Sequence, residues 1–423
     1  MKDCVGLIYE KLNNDIPVVL YTAGGNTLSI IRCLKERFGV LPTAVCDGDP
    51  EKQGRTFRGL ENLIVLSPDE AISNYPDGEF FITSLPYKFD IIGYLISKSK
   101  LSPERIINYE PVVWRKSCIY MEKFVKTLPD YGLAFCCGSS YPYVDFNEDF
   151  SFIKDFADYR DSLIKRCADN NFEDVCKKCG LINEGWRPVN PKINNINYFT
   201  GGACNYKCIY CQSHVHDDEY KDNQFIGLDK LIMEFSKNNM LADYYNIDLL
   251  TAGEVTVHPK RKELFAALNT YSNVVSTNSY KFDKDLYQQM NEKPIRLFVS
   301  IDAGTRETYK KIKSVDGFDK VRENLKKYAD SKCGLVTLKY IFLPGINDKA
   351  EEIDGFVQLC EDTNAVTGII SYDFFAELPI PENTLEMMRR LKINLEKRNI
   401  LCIPFNTSVR GDFNEAVKNV LKG

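Results

Sequence analysis

The stretch GGACNYKCIYCQSHV, from Gly201 to Val215, holds Cys204, Cys208 and Cys211 within eight residues. A structural zinc site normally takes four protein ligands, so three thiols alone would leave one ligand position open. The preceding segment, INYFTGG, has the pattern of a β-strand. The cysteines are therefore predicted to lie in the loop that directly follows a strand.

Strand-like segments recur after this loop, with helical patterns between them. In order they are NIDLLTAGE, NVVSTNSY, RLFVSIDAG, GLVTLKYIFLPG, GIISYDFFAELP and NILCIPF. Six or seven such α/β units predict a full or partial (β/α) barrel over residues 191–423. Functional residues of such barrels lie at the carboxyl ends of the strands, where the cysteine loop is placed.

Two further segments precede the barrel. Residues 1–112 alternate short apolar runs such as IPVVLYTA with helical patterns such as TLSIIRCLKERFG, which predicts a Rossmann-like, doubly wound parallel sheet. Residues 113–190 lose this periodicity and contain six cysteines. They are predicted to form a small, loop-rich module that is held together by something other than a large core.

Composition limits the classes of protein to consider. No apolar run approaches the roughly 18 residues that span a bilayer, and the N-terminus lacks the features of a signal peptide. A cytoplasmic location without a membrane partner is expected. In that reducing compartment, fifteen cysteines in clustered spacings indicate metal or redox chemistry rather than disulfides. The net charge of −5 gives no reason to expect a nucleic acid partner.

The residues alone leave three interpretations of the cysteine loop: an iron-sulfur site, a zinc site completed by His214 or His216, and unliganded thiols. Its CxxxCxxC spacing resembles the radical S-adenosylmethionine (radical SAM) superfamily. The resemblance implies a 4Fe-4S cluster with three cysteine-bound irons and a fourth iron that binds the amino and carboxyl groups of S-adenosylmethionine. One electron from such a cluster would cleave this cofactor to methionine and a 5'-deoxyadenosyl radical.

The resemblance extends to segments that would bind S-adenosylmethionine. Tyr210 holds the aromatic position near the adenine, although ordinary packing is the alternative for it. LLTAGEVTVHP is similar to the family's GGE segment, with Ala252 in place of the first glycine. There Gly253 would let the backbone approach the ligand, and Glu254 would accept hydrogen bonds from the ammonium group.

Later strand ends supply further candidates. STNSY resembles the family's TNG segment and makes Asn278 a polar contact to the cofactor. VSID offers Ser300 as a contact and Asp302 as a candidate catalytic residue, and in LPGIND the backbone around Ile346 is expected to pack against the adenosine. Taken singly, such Gly, Asn and Asp residues are usual in turns, so their order after the cysteine loop carries the argument.

The middle segment resembles the first half of the auxiliary-cluster module called SPASM or twitch, which in related families follows the barrel. The resemblance implies that four cysteines hold a second, fully ligated 4Fe-4S cluster; zinc and unliganded thiols are the alternatives. The ligands would be Cys118, Cys137, Cys176 and Cys179, with Cys136 and Cys167 as substitutes. A fully ligated cluster could accept an electron from a substrate radical and so favour net oxidation.

The N-terminal segment YTAGGNT follows the first strand, where a Rossmann fingerprint would stand, and only Gly24 of its glycines matches the pattern. Gly24, Gly25 and Asp47, which follows the second strand, are weak candidates for nucleotide binding. The segment resembles the N-terminal nucleotide-sugar-binding domains of some sugar acyltransferases. A structural or docking domain is the alternative.

Together these resemblances imply an enzyme that abstracts hydrogen from a sugar or nucleotide-linked sugar, with oxidation or epimerisation as the outcome. A flavodoxin- or ferredoxin-type protein would donate the electron. The alternatives are an enzyme that modifies peptides or proteins and a non-enzymatic iron-sulfur carrier or scaffold.

Overall fold

The computed structural model describes most of the chain, in ten segments: residues 3–128, 132–135, 143–145, 150–171, 182–200, 204–211, 227–251, 253–373, 376 and 379–404. Their strands form sheets of five, two and ten strands. This mixed α/β architecture with parallel sheets confirms the predicted fold class. None of the helices in these segments is long and apolar enough to cross a membrane.

The N-terminal sheet has the order β3-β4-β2-β1-β5, parallel except for β3. Its elements are α1 (Cys4–Asn13), β1 (Val18–Tyr21), α2 (Gly25–Phe38), β2 (Ala44–Cys46), β3 (Thr56–Phe57), β4 (Leu60–Leu66), α3 (Pro68–Asn74), β5 (Glu79–Ile82) and α4 (Lys88–Ser97). All four β1 residues are buried, and alternate β1 side chains join two different core clusters. Helices α1 and α2 supply one cluster, while α3 and α4 supply the other, so helices cover both faces.

The next elements connect this sheet to the barrel. They are β6 (Val112–Cys118), α5 (Ile119–Lys123), β7 (Phe124–Leu128), β8 (Gly132–Ala134), β9 (Tyr143–Val144), α6 (Phe152–Ala168) and β10 (Ile182–Pro188). β6 and β10 form a two-stranded antiparallel sheet, across which Trp114 and Trp186 pack edge to face with ring centroids 5.6 Å apart.

The barrel consists of β11 (Ile193–Thr200), α7 (Leu228–Lys237), β12 (Leu241–Thr251), α8 (Arg261–Ala266), β13 (Ser272–Ser276), α9 (Lys284–Glu292), β14 (Ile295–Ser300), α10 (Arg306–Lys313), α11 (Phe318–Ala329), β15 (Leu335–Phe342), α12 (Ala350–Asp362), β16 (Thr367–Tyr372), α13 (Glu382–Glu396) and β17 (Leu401–Pro404). The sheet order is β17-β16-β15-β14-β13-β12-β11-β7-β8-β9. Strands β17 through β11 and β7 are parallel to their neighbours, and β8 and β9 are antiparallel.

The middle segment differs from the loop-rich module that we predicted. Its strands β7, β8 and β9 extend the barrel sheet beside β11, and its helix α6 buries Phe152, Phe156 and Leu163 in the same apolar cluster as the barrel strands. This helix is amphipathic over 17 residues, so packing against the barrel supplies the core that the segment lacks alone. The boundaries at residues 112 and 190 stay predictions.

The two faces of the barrel strands differ in polarity. On β15, the Tyr340 ring packs against Phe356 of α12 with centroids 4.9 Å apart, so the alternate residue Lys339 faces the barrel interior. The strand register places Asn197, Asp248, Val274 and Arg296 in one row across that interior face. The barrel interior is therefore rich in polar side chains, whereas the outer face packs against the helices.

The N-terminal sheet packs against the amino ends of the barrel strands. Tyr271, just before β13, donates a hydrogen bond to the Thr83 carbonyl (3.3 Å), and Ser272 donates to Asn26 Oδ1 (3.0 Å). Tyr244 and Leu335 of the barrel belong to the apolar cluster formed by α1 and α2. The cysteine loop follows the carboxyl end of β11, at the opposite end of the barrel.

Candidate functional site

The cysteine loop is held against helix α10. Ile209 N–H donates to the Ile312 carbonyl (3.0 Å), and Ser314 Oγ, at the end of the helix, donates to the Lys207 carbonyl (2.8 Å). The helix begins at the N-cap Thr305, whose hydroxyl accepts a hydrogen bond from Thr308 N–H (3.3 Å). These contacts fix the loop at the carboxyl ends of the barrel strands.

The three cysteines share this short loop but differ in exposure. Cys204 is exposed, while Cys208 and Cys211 are half-buried. Burial raises the pKa of the Cys204 thiol and raises the pKa of Cys208 to about 11, so both thiols are protonated near neutral pH until a metal replaces the proton. His214 and His216, the residues predicted to supply a fourth zinc ligand, lie outside the described residues.

The three thiols of this loop are a donor set that fits a 4Fe-4S cluster. Within the described segments, no three His, Cys, Asp or Glu side chains converge as the ligands of one metal ion. A 4Fe-4S cluster has no such requirement, because each thiolate binds a different iron. Cys204, Cys208 and Cys211 are the residues that would hold it.

Glu254 lies beside the cysteine loop, but its carboxylate is bound by the protein. Its Oε1 accepts hydrogen bonds from Thr256 Oγ1 (2.7 Å) and Thr277 Oγ1 (2.6 Å), and its Oε2 accepts one from Asn278 N–H (2.6 Å). The side chain is 2% exposed, and burial raises its pKa. Glu254 therefore links β12 to the segment after β13, and a cofactor ammonium group would have to share this carboxylate.

Asn278 connects that network to the cysteine loop. Its Nδ2 donates to Asn205 Oδ1 (2.7 Å), and its Oδ1 accepts from Tyr280 N–H (3.0 Å). Asn205 was not predicted as a site residue, because it lies between the cysteines and no sequence motif marks it. The structure thus brings Glu254, Asn278 and the cysteine loop together, as the predicted site requires.

Asp302 is the centre of a buried charged group. Its Oδ2 accepts hydrogen bonds from Tyr210 OH (2.6 Å) and from Lys313 Nζ (2.5 Å), and its Oδ1 accepts one from Ile341 N–H (2.7 Å). Asp302 is fully buried, and the Lys313 side chain is 3% exposed. Asp302 thereby holds Tyr210, which lies between Cys208 and Cys211 in the sequence, in a fixed position.

Lys313 is a site residue that sequence analysis missed. Besides its bond to Asp302, its Nζ lies 2.6 Å from Tyr210 OH and 4.9 Å from the centre of the Tyr210 ring. A lysine in the last turn of an amphipathic helix is common on protein surfaces, so no sequence pattern marks Lys313 as a site residue. Only the packing of α10 against the loop reveals that this lysine is buried.

The remaining predicted contacts surround this group. Ile346 is half-buried in a turn closed by its N–H to the Leu343 carbonyl (3.0 Å). The next residue, Asn347, is buried and donates from Nδ2 to the Asp302 carbonyl (2.8 Å). Gly253 is half-buried beside Glu254, and Ser300 pairs in register with Lys339 on the interior face.

Buried polar atoms without partners line the deeper interior. Asn195 Oδ1, Asn197 Oδ1 and Arg296 Nε are buried and have no hydrogen-bond partner within the described segments. Asp248 lies in the same row as Asn197 and Arg296, and desolvation raises its pKa. Unsatisfied groups of this kind are costly unless water or a ligand pairs with them.

The predicted nucleotide residues lie at the other end of the barrel. Asp47 is buried and accepts from Ala23 N–H (2.7 Å), and a Cβ on Gly25 would lie 2.6 Å from Arg296 Nη1. Gly24 is the N-cap residue of α2. The hydroxyl of Thr83 bonds those of Thr22 (2.8 Å) and Thr27 (2.6 Å), which fills the crevice between β1 and β5. Nucleotide binding by these residues stays a prediction.

The predicted auxiliary site is described only in part. Cys118 ends β6 and is buried, as is the substitute ligand Cys167 in α6. Cys136, Cys137, Cys176 and Cys179 lie outside the described residues, so the second cluster stays a prediction.

One family model matches part of the barrel. Residues 198–357 match the radical SAM superfamily. The chain is 31% identical over 165 residues to a probable GTP 3',8-cyclase of Saccharolobus islandicus, a match that covers 38% of this chain and 50% of that protein. A Helicobacter pylori UPF0026 protein is 22% identical over 159 residues, and this match covers 36% of this chain and 51% of the Helicobacter protein. The chain thus spans about half the length of these curated relatives.

Solved structures that match parts of this chain have low sequence identity and TM-scores of about 0.4. Streptococcus suis SuiB bound to S-adenosylmethionine has a TM-score of 0.40 and 13% identity, covering 66% of this chain and 58% of SuiB. A radical SAM methyltransferase from Sphaerobacter thermophilus has a TM-score of 0.40 and 13% identity, covering 53% of this chain and 73% of its own.

Proposed function

Because this chain carries a radical SAM domain over residues 198–357, we propose that it is an enzyme that cleaves S-adenosylmethionine reductively and abstracts hydrogen from a sugar or nucleotide-linked sugar. A 4Fe-4S cluster on Cys204, Cys208 and Cys211 would supply the electron for that cleavage. The chain's own residues hold the loop, orient Tyr210 and line the space in which a substrate can bind.

The polar interior of the barrel supports this substrate class. Asn195 Oδ1 and Asn197 Oδ1 are buried and have no hydrogen-bond partner among the described residues, and Asp248 lies beside them on the interior face. Hydroxyl groups of a sugar can donate to amide and carboxylate oxygens, so such a substrate would satisfy these atoms. An apolar substrate would leave them unpaired at a cost of about 1–3 kcal/mol each.

The test uses anaerobically reconstituted protein with S-adenosylmethionine and a chemical reductant. Formation of 5'-deoxyadenosine is measured first in the native chain and in Cys204→Ala; loss of product in the variant is expected. Full activity in the variant would show that Cys204 does not hold the cluster. No cleavage by the native chain would leave the iron-sulfur carrier or scaffold as the better interpretation.

Substrate class is tested with deuterated compounds. Nucleotide sugars deuterated on the sugar ring are expected to transfer deuterium to 5'-deoxyadenosine, and Asn197→Leu should reduce the transfer at least tenfold without stopping cleavage of the cofactor. Transfer from a peptide library, with none from any sugar, would instead favour the peptide-modifying alternative. Product analysis by mass then separates oxidation, a loss of two hydrogens, from epimerisation, which conserves mass.

A nucleoside triphosphate is a second candidate substrate, favoured by one observation. The relatives named probable GTP 3',8-cyclase are 31% identical over the matched residues. Deuterium transfer from ribose-labelled GTP would identify this class, whereas a lack of transfer together with activity on a nucleotide sugar would exclude it.

The auxiliary cluster and the electron donor are also part of the proposal. If Cys118, Cys137, Cys176 and Cys179 hold a second 4Fe-4S cluster, the reconstituted chain should contain about eight irons, and the chain without the loop cysteines about four. Stoichiometric zinc in the anaerobically prepared native protein would instead make this site structural. A flavodoxin- or ferredoxin-type donor is expected to replace the chemical reductant.

A further inference from the structure

A cavity of about 220 Å³ lies between the N-terminal sheet and the amino ends of the last barrel strands. Ala23 and Val65 line it from the sheet, while Val366 and Leu401, at the amino ends of β16 and β17, line it from the barrel. The cysteine loop is at the opposite end of the barrel. A ligand in this cavity would therefore contact both halves of the chain and remain separate from the proposed reaction site.

The charged residues around this cavity are mostly cationic. Lys52, Arg55 and Arg58 line it together with one acidic residue, Glu396. Lys52 Nζ bonds Asp47 Oδ2 at 3.0 Å, and Arg55 Nη1 bonds Glu396 Oε1 at 3.3 Å. Arg58 differs, because its buried Nη1 has no hydrogen-bond partner within the described part of the chain. An anion in the cavity would supply the missing partner.

The rest of the wall is apolar. Leu28, Phe57, Val65 and Ile400 line the cavity, and each is less than 9% exposed. An inorganic anion would leave this surface without contacts, whereas a ring attached to an anionic group would cover it. The ligand is thus expected to combine a flat apolar group with a negative charge.

The position of the cavity relative to the N-terminal sheet indicates which class of ligand it would bind. Ala23 follows β1 and Lys52 lies in the loop after β2, so the cavity borders the carboxyl ends of two adjacent parallel strands. Ligands of open α/β sheets bind at that edge. Of the residues predicted from sequence, Gly24, Gly25 and Asp47, none lines the cavity, although Asp47 holds Lys52 at its rim.

We propose that this cavity binds a nucleoside monophosphate, with the phosphate on Arg58 and Arg55 and the base between Phe57 and the barrel residues Val366 and Ile400. The volume accommodates one small nucleotide but no long chain. Bound there, the nucleotide joins the N-terminal sheet to the barrel and stabilises their packing.

Binding of adenosine and uridine 5'-monophosphates is measured by titration calorimetry, and their effect on Tm is measured by thermal unfolding. Saturable binding at one site per chain and a rise in Tm are expected for at least one of them. Arg58→Gln should weaken that binding at least tenfold, while Arg37→Gln, an arginine paired with Asp3 away from the cavity, should not change it.

A second variant changes a residue that lines the cavity from the barrel. Val366→Phe fills the cavity and should abolish binding while the far-ultraviolet circular dichroism stays native. Cys204→Ala, at the distant loop, should bind the nucleotide normally, which separates this site from the proposed reaction site. The proposal is wrong if neither nucleotide binds, if inorganic phosphate alone binds as tightly, or if Arg58→Gln and Val366→Phe both retain full affinity.

Discussion

At the residue scale, Asp302 combines an uncommon backbone conformation with complete burial. Its φ of 61° turns the chain directly after β14, and its carboxylate then meets Tyr210 and Lys313. A non-glycine residue in this region of φ is unusual and is favoured for Asp and Asn. The observed bonds make Asp302 a positioning residue for Tyr210, while a direct catalytic role stays a prediction.

Removing Lys313 should leave the buried Asp302 carboxylate without the cation that bonds it directly. We expect Lys313→Met to lower the free energy of unfolding by about 3–5 kcal/mol, because an uncompensated buried charge is costly. Urea unfolding measures this loss. Adding Asp302→Asn to the variant should restore much of the stability; if the double variant is less stable than either single variant, the ion pair is not the cause.

Glu254→Gln replaces one carboxylate oxygen with an amide NH₂ group among four donors. We expect a loss of about 1.5–3 kcal/mol of stability, the usual worth of a hydrogen bond to a charged group, together with weaker binding of S-adenosylmethionine. Glu263→Gln, on the exposed face of α8, is the matched control and should change neither quantity. Native stability in Glu254→Gln would contradict the observed network.

At the element scale, the sequence predicted most barrel strands because each is a short apolar run between turn residues. The sequence also indicates the polar interior, because Asn195 and Asn197 alternate with the outward-facing Ile196 and Tyr198 on β11. The joining of β7 to β11 was not predictable, because no local period encodes which distant strand becomes a neighbour.

The short helix α5 ends in Lys123, whose Nζ donates to the carbonyls of Leu85 (3.3 Å) and Pro86 (3.0 Å). Burial lowers the pKa of Lys123 to about 7, compared with 10.5 for an ordinary lysine. Between these two values the unfolded chain binds more protons than the folded chain, so this residue makes stability rise with pH.

Lys123→Met should therefore be more stable than the native protein near pH 7 and lose that advantage as the pH rises. The difference should shrink by roughly 1.4 kcal/mol per pH unit between about pH 7.5 and 10. Urea unfolding of both proteins across this range measures it, with Lys98→Met, after α4, as a control. A difference that does not vary with pH would show that the folded chain keeps Lys123 protonated.

At the scale of the whole molecule, Arg32 of α2 fastens the N-terminal sheet to the barrel. Its Nη2 donates to the Ala329 and Ser331 carbonyls, both at 2.7 Å, and its Nε donates to the Lys332 carbonyl at 3.2 Å. These residues lie about 300 positions apart in the chain. No sequence period could have predicted that the sheet covers the amino ends of the barrel strands.

Arg32→Ala should weaken this attachment by about 3 kcal/mol, since two or more charge-assisted bonds are lost. Limited proteolysis is expected to cut the N-terminal sheet faster while the barrel fragment persists. Arg37→Ala, on the same helix, removes an ion pair with Asp3 within the N-terminal part and should be cut at the native rate. Equal rates for both variants would mean that apolar packing alone holds the two parts together.

The contact between the sheet and the barrel also bears on how such a chain can change by recombination. Asn26 bonds Ser272, Ser272 bonds Asn246, and Asn246 bonds Asp248, so a continuous polar chain runs from the N-terminal helix into the barrel interior. Exchanging the N-terminal part for a foreign one would cut this chain and expose Tyr244 and Tyr271. The two parts are therefore expected to be inherited as one unit, and a shuffled hybrid should need matching changes on both sides of the junction to fold.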